Sequence, residues 1–260
     1  MLLTNMEMLC DIGTAIALSR QSKVMIHGMG RNKTGRRHIP FAKVMRMDIY
    51  SYKIIRDYGF APNPFFGVCT LATCKPDIRC RAQIGDWILA IGGTQTVVSN
   101  RLVCLMRVDE AMTFDEYWND ERFQCKKPSF DRALKYCYGD NIYHHAKNGT
   151  WLQANSHHSK EGGAVNEDNL KRDTRVNRVL VSKAYWYFGA DALELPSEYI
   201  DILPNGRNYK RFCMEEISLK WVNFQKWIKS KFAMGQHGLP CKWKDEKGFT
   251  RYKGEKSLSK

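Results

Sequence analysis

Residues 86–111, DWILAIGGTQTVVSNRLVCLMRVDEA, decide the fold class. DWILAIG (86–92) and RLVCLMRVDEA (101–111) are short apolar runs rich in branched side chains and read as strands, with the polar loop GGTQTVVSN between them. Upstream, MDIYSYKII (47–55) alternates and is rich in β-branched and aromatic residues, which makes it a first strand. KPDIRCRAQ makes a helical turn opened by Pro76, because proline lacks only an N–H that a helix start leaves unused anyway. Downstream, Thr113 with Glu116 three residues on is a capping box that starts a short helix in FDEYWND. NIYHH reads as a strand, a Trp-containing turn follows, and Ser159 to Asp173 reads as a hydrophilic loop. RVLVSKAYWYFG (178–189) is a strand pair or a strand and a bend. MEEISLKWVNFQKWIKSKF repeats apolar residues at 214, 217, 221, 224, 228 and 232, a helical stripe. Strands in the middle and a helix to close them give an α+β class: a mixed or barrel-like sheet, flanking helices and a C-terminal amphipathic helix.

The chain is long enough, at 260 residues with 43% hydrophobic content, to bury a sizeable core, which excludes disorder of the whole. No run approaches the roughly 18 apolar residues a bilayer span needs, and LCDIGTAIAL (9–18) is short, contains Asp11 and lacks a basic n-region. Nine cysteines, odd in number, spread along the chain and often set in apolar runs, look like reduced thiols, so the cytoplasm is the expected compartment and Asn148-Gly-Thr an incidental sequon. The net charge of +14 sits at the ends: residues 12–47 carry eight Lys/Arg and no acid, residues 220–260 eleven against three acids, and residues 48–219 are balanced. Basic ends grip phosphate backbones or are simply solvated. The expected organisation is a basic arm or N-terminal extension over 1–46, a domain over 47–232 and a basic tail over 233–260. The Gly-Met-Gly of the arm is a weak phosphate-loop signal.

Within the body, GFAPNPFFGVCTLATCKP (59–76) sets Asn63 between two prolines, an ordered non-helical segment. Its cysteines Cys69 and Cys74, with Cys80 just beyond, lack the close pairs of a zinc site and read as buried thiols, so no metal is expected. His144-His145 and His157-His158 form two pairs, the second beside Gln153 and Asn155. On a strand, adjacent residues face opposite ways, so each pair offers one imidazole to a given site. Histidine near amides can bond a base edge, move a proton or bind metal, and it can also be structural. Trp87, Trp118, Tyr143, Trp151, Tyr185, Trp186 and Phe188 lie near strand ends, where they either wall a pocket for a flat ring or fill the core.

These residues carry a resemblance. The run YSYKIIRDYGFAPNPFFGVCTLATCKPDIRCRAQIGDWILAIGG, continuing through RLVCLMRVDEAMTFDEYW to NSHH and VLVSKAYWYFG, resembles the prokaryotic and phage nucleotide-modification-associated domain proteins, the second family of that name. It covers about residues 47–205. The resemblance implies association with systems that modify bases in DNA or handle modified nucleotides. Gly85-Asp86-Trp87 opening a strand, with a strand ending Val108-Asp109, is similar in addition to PUA and EVE domains.

The function expected is binding of a nucleotide or of a modified or extruded base in DNA, within a DNA-modification, phage or defence system. Two alternatives stand beside it. One is a base- or nucleotide-modifying hydrolase or transferase with His157 or His158 as acid/base; the other is a structural nucleic-acid-binding partner. Base or nucleotide contacts are expected from Asn63, Thr70, Lys75, Trp87, Tyr143, Gln153 and Asn155, and phosphate contacts from Lys242, Lys244 and Lys247. Nucleotide or DNA is the expected partner, with proteins of a modification or defence system beside it and no membrane. Nothing in the sequence names a cofactor.

Overall fold

The continuous apolar run of β3 (Trp87–Gly92) is buried along its whole length, because both faces of the strand are covered. The computed structural model describes residues 47–252 except 205, 207 and 245–247; the basic arm expected over 1–46, Lys247 and the last residues of the expected tail lie outside the described residues. β3 pairs in parallel with β1 (Asp48–Ile54) and antiparallel with β4 (Leu102–Arg107). β9 (Tyr185–Tyr187), β10 (Lys210–Cys213) and β11 (Gly235–Gln236) complete a six-stranded sheet in the order β10-β1-β3-β4-β9-β11. Its end strands differ, so the sheet is open and mixed rather than a closed barrel, and the α+β class holds.

Side-chain parity divides the sheet between two cores. Ile88 and Ala90 of β3 join Tyr50, Tyr52, Met106 and Tyr187 on one face. Trp87, Leu89 and Ile91 join Trp186 on the other, where α5 (Met214–Lys231) lays Trp221, Phe224 and Ile228 against them. Each such side chain contributes about 1.5–3 kcal/mol by leaving water.

A parallel pair cannot be joined by a tight turn. The β1–β3 crossover therefore spans residues 55–86 and carries β2 (Cys69–Leu71) and α1 (Pro76–Arg81). β2 forms a second sheet with β8 (Val179–Ser182) and β5 (Glu110–Met112) in the order β2-β8-β5. The run 101–111, read as one strand, is thus two. Asp109 breaks it: its N–H bonds the Val181 carbonyl and its carboxylate takes the N–H groups of Lys183 and Ala184, turning the chain from one sheet to the other. Gly85, at φ 96°, makes the turn into β3, and Asp86 accepts the Asp48 N–H at 2.7 Å, so the Gly-Asp pair ties β3 to the start of β1.

A third group of elements packs over the second sheet. It contains α2 (Phe114–Asn119), with its capping box in place, and α3 (Leu134–Cys137). The hairpin of β6 (Tyr143–His145) and β7 (Trp151–Gln153) and the helix α4 (Glu167–Thr174) complete it. α4 lies in the stretch read as a loop; it is helical because Asn166 caps it, accepting the Asn169 N–H at 3.1 Å, and because Glu167 and Lys171 suit its dipole. The described residues of the stretch expected as a tail contact the body: β11 joins the main sheet, Trp243 stacks on Tyr138, and the Tyr252 N–H bonds the His157 carbonyl. No helix among the described residues is long and apolar enough to cross a membrane.

Candidate active site

A cavity of about 740 Å³ opens where β1 and β3 end, walled by Tyr52 to Arg56 on one side and Gly93 to Gln95 on the other. The carboxyl ends of parallel strands are where open α/β sheets commonly hold ligands, because the loops leaving them diverge. The crossover adds Phe60, Cys74 and Lys75, the turn after β7 adds His157 and His158, α4 adds Arg172, and the returning chain adds Tyr252.

Cys74 sits immediately before α1 in a left-handed conformation, φ 57°, and Lys75 follows at φ 38°. Two successive non-glycine residues in that region cost on the order of 1–3 kcal/mol each, so the surroundings must hold them. They do. The Cys74 N–H donates to Asp173 Oδ1 at 3.0 Å, and its carbonyl accepts from Arg79 Nε at 2.9 Å. Arg79 is fully buried and donates further to the carbonyls of Asp173, Val176 and Arg178, tying the cysteine turn to the end of α4.

The thiol faces a histidine and the histidine a carboxylate. Cys74 Sγ lies 3.8 Å from His158 Nε2, and His158 Nδ1 donates to Asp173 Oδ2 at 2.8 Å. Asp173 also receives Arg172 Nε on Oδ1 at 3.1 Å and the Tyr143 hydroxyl on Oδ2 at 3.0 Å. Burial pushes its carboxyl up, but the His158 and Arg172 charges outweigh that and hold it well below the usual carboxylate range. Burial pushes His158 down, and Asp173 and the Cys74 thiolate more than reverse it, raising the imidazole to about 9. Burial pushes the Cys74 thiol up, and the adjacent His158 cation prevails, lowering it. The trio is a thiol facing an imidazole that a carboxylate orients, and each partner favours the charged form of the next, an arrangement of the kind that activates a cysteine nucleophile.

The ligand atoms of these three residues lie within 4.8 Å of one another. A metal fits them poorly. Both Asp173 oxygens already accept two hydrogen bonds each, and the two nitrogens of one imidazole point to different partners, so three lone pairs do not converge on one ion.

The histidine pair departs from the strand rule because residues 156–159 form a turn, where alternation does not apply. Both rings enter the cavity wall, 5.7 Å apart. His157 donates from Nδ1 to the Thr250 carbonyl at 2.6 Å; burial and the His158 charge lower it to about 3, so it is neutral, with Nε2 an acceptor. Tyr58 and Phe60 pack on it at 4.5 and 5.2 Å. The other pair goes elsewhere: His144 stacks on Trp118 at 3.8 Å and His145 pairs with Asp115, and neither lines the cavity.

Of the expected base-binding residues, Lys75 lines the cavity, its ammonium over the Tyr52 ring and 3.4 Å from the Lys53 carbonyl. Tyr143 and Gln153 lie behind it, Gln153 donating to the Tyr143 hydroxyl and to the His158 carbonyl, so both support the row rather than meet a ligand. Asn155 is exposed on the outer side and accepts from Ser159. Asn63 is fully buried with its amide committed: Nδ2 donates to Tyr138 O at 3.0 Å, and Oδ1 accepts from Lys126 Nζ at 2.8 Å. Thr70 bonds Asp140 in the same network. The Pro-Asn-Pro loop is thus a structural turn. Trp87, by parity, belongs to the core under α5 and packs on Trp186 and Trp221. Lys242 lines a smaller neighbouring cavity of about 220 Å³, and Lys244 pairs with Asp191.

Sequence reasoning passed over Cys74 as a nucleophile and passed over Asp173, Arg79, Arg172, Arg56 and Tyr252 altogether. The one local signal was the Asn166 cap with its acidic first turn, which would have put Asp173 on a helix facing inward. Cys69, by contrast, is the buried thiol expected, 4.0 Å from Cys104, and Cys80 is exposed.

Together these define an α+β domain with a cysteine–histidine–aspartate row in the wall of a basic, aromatic cavity. The sequence model described as nucleotide modification associated domain 2 matches residues 46–247, and the chain belongs to that family. No curated protein and no solved structure matches it.

Proposed function

We propose that the chain is a nucleotide- or base-modifying enzyme with Cys74 as nucleophile. The observation that carries this reading is the row Cys74–His158–Asp173 opening onto the cavity; membership in a nucleotide-modification family supplies the substrate class. Cys74 Sγ forms a bond to an electrophilic carbon of the nucleotide. As the bond from that carbon to its leaving group breaks, His158 Nε2–H gives its proton to the leaving group, and Nε2 then takes a proton from the water or hydroxyl acceptor that displaces the sulfur. Asp173 keeps the His158 Nδ1–H aligned and favours its charge. Tyr58, Phe60 and Tyr252 offer ring faces to a base, and neutral His157 offers an acceptor. His158 is the acid/base residue in this reading, and His157 a wall of the site. Action within a DNA-modification or phage-defence system, in the cytoplasm, is consistent with the family and belongs to the same proposal.

The test is mass spectrometry of nucleotides and of digested DNA after incubation with wild type, Cys74→Ser and His158→Gln, alongside alkylation by iodoacetamide. Expected is one product from wild type, a loss of 100-fold or more in either variant, and preferential labelling of Cys74 near pH 7. A product formed undiminished by Cys74→Ser overturns the nucleophile. Ligand binding without any product, and with an unreactive Cys74, favours a reader instead.

A further inference from the structure

Lys53, Arg56, Lys75 and Arg172 are the charged residues that line the cavity, and no Asp or Glu among the described residues lines it with them; Asp173, which pairs with Arg172, lies behind the wall. Arg101, Arg107, Arg122, Arg175 and Arg211 each pair with an acid. Two of the cavity's guanidinium groups converge on one ring: Arg56 lies 5.1 Å and Arg172 5.7 Å from the Tyr252 centroid. Arg172 uses Nε for Asp173, while its Nη2 is buried with no hydrogen-bond partner. A buried guanidinium nitrogen left without an acceptor is costly unless a ligand supplies one. Two like charges gathered on one ring repel unless an anion sits between them.

We propose that Arg56 and Arg172, together at Tyr252, form a subsite for the phosphate monoester of a free nucleotide. This deepens the function proposed above and rests on it for the nucleotide. A planar guanidinium fork matches phosphate oxygens in pairs, and a monoester dianion satisfies two forks where a phosphodiester carries a single charge. The cavity volume falls within the usual range for small-molecule sites, roughly 300–1,000 Å³. A strand of nucleic acid would instead need cations tracking outward along a groove, whereas here Arg56 and Arg172 are gathered on one ring inside one cavity. The phosphate held beside Arg172 lies next to the Cys74–His158–Asp173 row, so the monoester would fix which ring or sugar atom reaches the sulfur.

The experiment is calorimetric titration of the full chain with the ribo- and deoxyribonucleoside 5′-monophosphates of the common bases, the matching nucleosides, inorganic phosphate and a short single-stranded oligonucleotide without terminal phosphate. Expected is at least one monophosphate bound 10-fold or more tighter than its nucleoside, displaced by millimolar inorganic phosphate. In Arg56→Gln that advantage should vanish while nucleoside affinity stays, and Arg56→Lys should restore part of it. Equal affinity for monophosphate and nucleoside, no binding of any monophosphate, or an oligonucleotide bound as tightly as the best monophosphate overturns the proposal. The two readings separate in Cys74→Ser. A monophosphate preference that persists beside an inert wild-type Cys74 sinks the nucleophile and leaves the subsite, and a reactive Cys74 with no monophosphate preference does the reverse.

Discussion

His157 and His158 are neighbours in the chain whose basicities are driven apart, to about 3 and about 9 from an ordinary 6.5. The two shifts act on stability with opposite sign. His158 binds its proton more tightly when folded, so its stabilisation is complete below pH 6.5 and is lost as pH rises through about 9. His157 resists protonation when folded, so its contribution is complete above 6.5 and is lost as pH falls toward 3; Asp173, depressed from 3.8, adds to the loss at still lower pH. The thermal midpoint should therefore peak near pH 6.5, with His157→Gln flattening the acid limb and His158→Gln the alkaline one; a midpoint with no such differential effect contradicts the assignment. Asp173→Asn removes the charge that holds His158 protonated, so the alkylation rate of Cys74 at pH 7 should fall roughly 10-fold or more as thiolate is lost. A rate unchanged in Asp173→Asn refutes the relay. Little of this was legible from the residues alone. Cys74 meets its histidine 84 positions away and its carboxylate 99 away, and no local pattern encodes either meeting. Asn63 shows the converse: its rigid setting was legible, but whether the amide faced outward or inward depended on Lys126 and Tyr138 far along the chain.

Elements were more readable than partners. β1, β3, the Pro76 helix, the Thr113–Glu116 box and the α5 stripe all follow from period and capping, which act within a few residues. What failed were the break at Asp109, visible only once two sheets compete for one run, and α4, whose few apolar residues gave no stripe. The stripe of α5 makes a direct prediction: Trp221→Ala, a fully buried ring on Trp87 and Phe224, should cost about 3–5 kcal/mol in urea unfolding. It should leave nucleotide affinity intact, since it acts on the opposite face of the sheet. A loss below about 1 kcal/mol would mean α5 is not packed there. Arg79→Lys tests the clamp between the cysteine turn and α4. An ammonium on a shorter stem cannot serve four carbonyls in the fixed fork geometry of a guanidinium, so Cys74 alkylation should slow and its pH midpoint rise while nucleosides still bind. An unaltered pH midpoint would show the clamp to be dispensable for the thiol.

For the molecule as a whole, the cations that line the cavity come from the balanced middle of the sequence rather than from its basic ends. Lys220 and Lys244 of the basic terminal segment are paired with Asp201 and Asp191, while Lys53, Arg56, Lys75 and Arg172 of the cavity wall belong to the balanced middle. Net charge sums over position, and a site depends on what lies within a few ångströms. The architecture has one more consequence. Arg79 gathers carbonyls 94 to 99 residues beyond it, and His158 reaches Cys74 84 residues back along the chain. Contacts that close such large loops are expected after the local helices have formed. The acidity of a single thiol thus becomes a clock: when the denatured chain is diluted into refolding buffer, rapid alkylation of Cys74 at neutral pH should appear with the last kinetic phase, long after helical circular dichroism has recovered.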